Sequence, residues 1–287
     1  MERLSPVAQT NFLRAVLCLM AVTLIAGACS GSAASPAGST ATGNPDGTVP
    51  AAHLTVFAAA SLTDAFKALA DAYDTAHPGT GITISFDSSA ALRTQIEQGA
   101  TADILASADT TNPQKLVDEG QGIGPVTVFA GNLLTVVVPP GNPANIQTPA
   151  DLAKPGVRFV AATATVPIQK YATQLIANLA KQPGYPADFV AAVTKNTVSK
   201  EQDVTSILAK IELGEGDAGI VYASDAAGAG SKVKTIDVPT AANVPARYGA
   251  VVTKASKNPA AAEAFLQWLT TPPAQAILAR YGFLPPN

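Results

Sequence analysis

The sequence predicts an α/β fold of two lobes, each a mainly parallel sheet flanked by helices, and three observations carry that prediction. Short apolar runs rich in β-branched residues alternate with amphipathic helical patterns between residues 54 and 253, the signature of parallel sheets with helical crossovers. The pattern shifts near Ala130-Gly131-Asn132, just before the long apolar stretch 133–138. Two further helical patterns follow the last strand and need a partner surface. Packed back on the first sheet, they give two lobes joined by two crossings, with a cleft between them where a ligand would sit.

The chain has 287 residues, 47% hydrophobic and 14% charged, which is enough for a substantial core. Its formal net charge of -3 leaves no basic footprint, and nucleic acid is excluded as an expected partner.

Arg3 and Arg14 lead into the apolar run 15–26, which reads as an export signal over residues 1–28 and is too short to be a permanent span. The segment Leu24-Ile25-Ala26-Gly27-Ala28-Cys29 resembles the lipobox of bacterial lipoproteins, with Cys29 as the lipidated N-terminus. The other cysteine, Cys18, lies inside the signal, so the exported chain would keep one sulfur and no intramolecular disulfide. Residues 29–51 are almost wholly Ser, Ala, Gly, Thr and Pro after the cysteine. They read as a flexible tether with a reach of about 25 Å.

Beyond the tether, lobe I is expected over residues 52–130 and 247–287, and lobe II over 131–246. Strands are expected at 54–59, 82–86, 103–107, 133–139, 157–161, 219–222, 232–238 and 248–253. Helices are expected at 62–76, 90–98, 113–119, 167–180, 188–193, 202–213, 259–269 and 272–281. Phe265, Trp268 and Tyr281 read as C-terminal core.

Several helix starts face the strand ends. The first strand runs through Ala58-Ala59-Ala60 into Ser61, after which Leu62, Phe66, Leu69 and Tyr73 recur at helical spacing. Ser61 sits at or next to an N-cap, where its hydroxyl and the free N–H groups of the first turn form an anion-binding terminus or simply cap the helix. Asp87-Ser88-Ser89 repeats the arrangement before the second helix, with Ser89 in the same role as Ser61. Pro167 opens a helix after Val166, where its missing N–H costs nothing. Another helix begins near Asp203, and Tyr222 ends a strand ahead of Ser224-Asp225.

The ordered motifs Val56-Phe57-Ala58-Ala59-Ala60-Ser61-Leu62, Ser88-Ser89, Ala102-Asp103-Ile104, Gly131-Asn132, Val166-Pro167, Asp203-Val204, Gly219-Ile220-Val221-Tyr222 and Arg280-Tyr281-Gly282-Phe283 span the mature chain. Through them it resembles the ModA family, the molybdate-binding proteins of bacterial molybdate ABC importers, within the type 2 periplasmic binding-protein fold. The resemblance implies a tetrahedral dianion held by the side chains of Ser61 and Ser89, the backbone N–H groups of Ile168 and Val204, and the Tyr222 hydroxyl. It implies molybdate or tungstate as ligand, molybdenum present only as the oxyanion, and no cofactor. The expected partners are an ABC permease and, through Cys29, the outer face of the cell membrane, with the protein itself a monomer. A carrier of sulfate or another tetrahedral oxyanion is the alternative.

A site built only from neutral donors disfavours phosphate, which carries a proton at neutral pH that needs an acceptor. Asp87 stands where the family more often has a small neutral residue, and it reads as a strand-end carboxylate turned to solvent rather than into the cleft. Asp203 reads as a helix cap, and Thr163 and Thr165 as shapers of their loop. An enzyme is not expected: His53 and His77 lie away from the serine-bearing edges, no Gly-x-Ser-x-Gly elbow occurs, and neither serine has an evident base.

Overall fold

The computed structural model describes residues 51–286. The expected export signal, Cys29 and the tether up to residue 50 lie outside the described residues. Among the described residues no helix is long and apolar enough to cross a membrane.

In chain order the elements are β1 (His53–Ala59), a 3-10 turn (Ala60–Leu62), α1 (Thr63–Ala76), β2 (Gly81–Asp87), α2 (Ser89–Glu97), β3 (Ile104–Ser107), α3 (Thr111–Asp118) and β4 (Gly122–Asn132). There follow β5 (Leu134–Val138), a 3-10 turn (Pro149–Ala153), β6 (Phe159–Ala162), α4 (Pro167–Leu179), α5 (Phe189–Lys195), β7 (Thr197–Glu201) and α6 (Val204–Glu212). The chain ends with β8 (Ala218–Tyr222), α7 (Ala223–Ala229), a 3-10 turn (Gly230–Lys232), β9 (Lys234–Ile236), β10 (Ala246–Thr253), α8 (Pro259–Leu269) and α9 (Pro272–Arg280).

The strands form two five-stranded sheets, ordered β2-β1-β3-β10-β4 and β7-β6-β8-β5-β9. In the first, β1 is parallel to β2 and β3, while β10 is antiparallel to β3 and β4, so β10 alone is reversed. In the second, β6 is parallel to β7 and β8, and β5 alone is reversed against β8 and β9. The reversed strand in each sheet is the one that arrives after a crossing. The chain passes to the second sheet at Leu133 and returns between β9 and β10.

The structure adds two strands that the alternation does not predict, β4 and β7, both at sheet edges. Gly122, Gly124 and Pro125 make the start of β4 resemble a turn, and an edge position is where a strand tolerates proline. In β7 the exposed residues alternate with half-buried ones and none is fully buried, so no apolar run marks it. The short α7, rich in Ala and Gly, is likewise unsigned in the sequence.

The C-terminal helices pack on the first sheet's helical layer. Phe265 of α8 meets Phe66 and Tyr73 of α1 edge-on at 6.5 and 4.9 Å between ring centroids, and Phe66 meets Phe129 of β4 at 5.6 Å. Trp268 stacks on Phe265 at 6.0 Å. The tail then reaches the first crossing. Leu284 and Gly131 exchange backbone hydrogen bonds of 2.7 and 2.9 Å, and a Cβ on Gly131 would stand 3.1 Å from the Pro285 carbonyl, so this close approach favours glycine.

Candidate functional site

Strand ends from both sheets meet at one cleft, and each brings a helix start with it. After β1, Ser61 lies in the 3-10 turn, next to Leu62, which occupies the N-cap of α1 without a side-chain capping bond. Its hydroxyl therefore serves something other than the cap: Ser61 Oγ lies 3.0 Å from Tyr248 Oη of β10.

The second serine differs from the first, contrary to the expectation of shared geometry. Ser88, not Ser89, is the extended N-cap of α2, and its Oγ accepts the Ala91 N–H at 3.3 Å. Ser89 becomes the first helical residue and is buried, and its Oγ accepts the Ala108 N–H at 3.0 Å. A hydroxyl carries one proton, so the bond from Ala108 leaves that proton free to point elsewhere.

On the second sheet, Val166 is extended and Pro167 opens α4, so the Ile168 N–H falls in the first turn, where it has no intrahelical acceptor. Asp203 is the extended N-cap of α6, with φ -154° and ψ 171°. Its carboxylate accepts the Ser206 N–H at 2.8 Å, the Thr205 hydroxyl at 2.6 Å and the Ser206 hydroxyl at 2.9 Å. Its own helix thus occupies Asp203, and the Val204 N–H is left at the open end. Tyr222 ends β8, and its buried hydroxyl has no hydrogen-bond partner among the described residues. Burial pushes the Tyr222 phenol well above its ordinary pKa, which keeps it a neutral donor. An unpaired buried hydroxyl costs about 1–3 kcal/mol.

Ser61, Ser89, Ile168, Val204 and Tyr222 all line one cavity of about 10 Å³, closed by Ala59, Ala60, Ser88, Ala108, Val166, Pro167 and Asp203. That volume is about the room for one water. The lining contains no Lys, Arg or His, so an anion here would be held by hydrogen-bond donors and the positive ends of helices. Among the described residues no cluster of His, Cys, Asp and Glu is placed to hold a metal ion. A larger hollow of about 190 Å³ shares Ala60 and Ser61 but none of the other four donors, which is why the smaller cavity is the candidate.

Asp87 is outside the lining, and its Oδ1 accepts the Ser88 N–H at 2.6 Å. Thr163 and Thr165 are outside it too; the Thr163 N–H donates to the Glu201 carbonyl at 2.8 Å and its carbonyl accepts the Val166 N–H at 3.1 Å. Sequence reasoning missed Tyr248. It is fully buried behind Ser61, with its ring 5.5 Å from that of Tyr222, and the alternation of β10 does not say which of its residues backs the cleft.

Residues 54–284 match the family model for bacterial extracellular solute-binding proteins. The chain is 36% identical to the molybdate-binding protein ModA of Mycobacterium tuberculosis over 268 residues, covering 93% of this chain and 97% of the relative. It is 30% identical to YvgL of Bacillus subtilis, named as an ABC transporter substrate-binding lipoprotein, over 80% of this chain and 85% of YvgL. The periplasmic molybdate-binding protein of Azotobacter vinelandii superposes with a TM-score of 0.69 at 25% identity, covering 82% of this chain and all 100% of that structure.

Proposed function

Because the chain belongs to the ModA family of bacterial extracellular solute-binding proteins, which are carriers and not enzymes, we propose that it captures molybdate outside the cytoplasm and delivers it to an ABC importer. The observation that supports this most is the convergence of five neutral donors from both sheets on one cavity without a cation. Each hydrogen bond to a charged ligand contributes on the order of 1.5–3 kcal/mol. The donors sit on helix starts and strand ends, so their spacing is set by backbone and sorts oxyanions by size. Tungstate, which shares molybdate's charge and shape, is proposed as a second ligand.

Both serines and Tyr222 have protons to give, and the one carboxylate in the lining, Asp203, already accepts three hydrogen bonds from its own helix, so an anion that arrives with its own proton finds that acceptor committed elsewhere. Fully deprotonated tetrahedral dianions are favoured over hydrogen phosphate on that ground. Thermal unfolding with molybdate, tungstate, sulfate and phosphate in parallel tests the proposal. Molybdate and tungstate should raise the midpoint most. A shift with sulfate alone would make the protein a sulfate carrier, and a shift with phosphate alone would overturn the donor-only site.

Membrane attachment is proposed through Cys29, supported by the lipobox-like segment ahead of it and by YvgL, a relative named as a lipoprotein. The variant Cys29→Ser should then appear in the soluble fraction. Continued partitioning into detergent would refute the anchor.

A further inference from the structure

Ser61 and Tyr248 share one hydrogen bond of 3.0 Å between two hydroxyls, and its direction decides what Ser61 can offer a ligand. Each hydroxyl has one proton. If Ser61 gave its proton to Tyr248, the phenol proton would need another acceptor, yet Tyr248 is fully buried and, among the described residues, the hydroxyl within hydrogen-bond reach of its oxygen is that of Ser61. The neighbouring Asn132 spends its side chain on other partners. Its Oδ1 already accepts the Leu133 N–H at 2.9 Å, which turns the Nδ2 end toward Ser224 Oγ, at 2.8 Å. Burial holds the phenol pKa well above its ordinary value, and the contacts with Ser61 and Asn132 offset only part of that rise.

Resting on the oxyanion reading of the cleft, we propose that Tyr248 is a positioning residue for ligand specificity: it donates to Ser61 Oγ and so commits the single Ser61 proton to the bound anion. Ser89 is committed in the same way by the Ala108 N–H at 3.0 Å. The two differ in one respect. A backbone N–H cannot reverse, whereas a hydroxyl pair can once its outer member is removed. Tyr248 is therefore what keeps Ser61 from turning round to accept a proton from a hydrogen-bearing oxyanion.

The test is a double-mutant cycle read by calorimetry, with molybdate and hydrogen phosphate as probes, on wild type, Tyr248→Phe, Ser61→Ala and the double variant. Tyr248→Phe keeps the ring against Phe129, Tyr222 and Phe283. It should weaken molybdate binding about three- to tenfold. In the Ser61→Ala background it should cost less than about twofold, because coupled residues are non-additive. Hydrogen phosphate should lose less than molybdate, narrowing the preference between them. An equal loss in both backgrounds would make Tyr248 a packing residue and overturn the proposal, as would an unchanged preference. A wild type that binds neither probe would overturn the oxyanion reading itself, a result visible before any variant is compared.

Discussion

At the scale of single residues, Tyr222 and Asp225 show where affinity and stability pull apart. The Tyr222 hydroxyl is buried without a partner, so Tyr222→Phe should raise the free energy of unfolding without ligand by about 1 kcal/mol while weakening oxyanion binding. Urea unfolding beside calorimetry checks both signs, and a variant that loses stability would show that the hydroxyl is satisfied. Asp225 accepts the Tyr222 N–H at 3.3 Å. Although its side chain keeps some solvent contact, burial pushes its pKa from 3.8 up to about 8, with the charge of Asp203 adding to the rise. The folded state therefore holds a proton that the unfolded chain has released, and stability from this group is lost as pH climbs from 3.8 to about 8. Unfolding measured at several pH values across that window should show the decline, and Asp225→Asn should flatten it. An identical slope in the variant would clear Asp225 of the effect.

At the scale of elements, the site consists of helix starts aimed from strand ends, and Val204 allows one backbone donor to be removed alone. Proline is tolerated at the first helical position, and the extended Asp203 before it has the conformation that a residue preceding proline prefers. Val204→Pro should keep α6 and the unfolding midpoint while weakening molybdate binding about ten- to a hundredfold. Unchanged affinity in titration would remove this N–H from the ligand shell. These starts are legible in the sequence because capping chemistry is local: Ser88-Ser89, Val166-Pro167 and Asp203-Val204 declare themselves within a few residues. The assignment of Ser88 rather than Ser89 as the cap was not legible, since either register satisfies the same composition. Tyr248 was hidden for another reason. It reaches Ser61 across 187 positions in sequence, and no local pattern encodes such a contact. The edge strands β4 and β7 escaped because a strand paired on one side can carry glycine, proline and polar residues that a central strand cannot.

At the scale of the whole molecule, the cavity joins two sheets that the chain links by two crossings, one of them clasped by the C-terminal tail at Gly131. Lys170 of α4 and Thr111 of α3 add a hydrogen bond of 3.2 Å between the two halves. A ligand held by both halves stabilises the folded protein according to its concentration over Kd, about 2.7 kcal/mol at a hundredfold excess. For a domain of this size that is a rise of roughly 5 to 10 °C in the unfolding midpoint, and no rise at high ligand concentration would mean that the folded protein does not bind the ligand. The cation-free lining has a further consequence for the speed of capture. With no Lys or Arg lining the cavity and a formal net charge of -3 over the sequence, a dianion meets little attractive field to steer it in. Added salt should leave the association rate flat or raise it slightly, the reverse of a cation-lined trap. Capture from dilute solution then rests on unaided diffusion, slower than into a cation-lined trap.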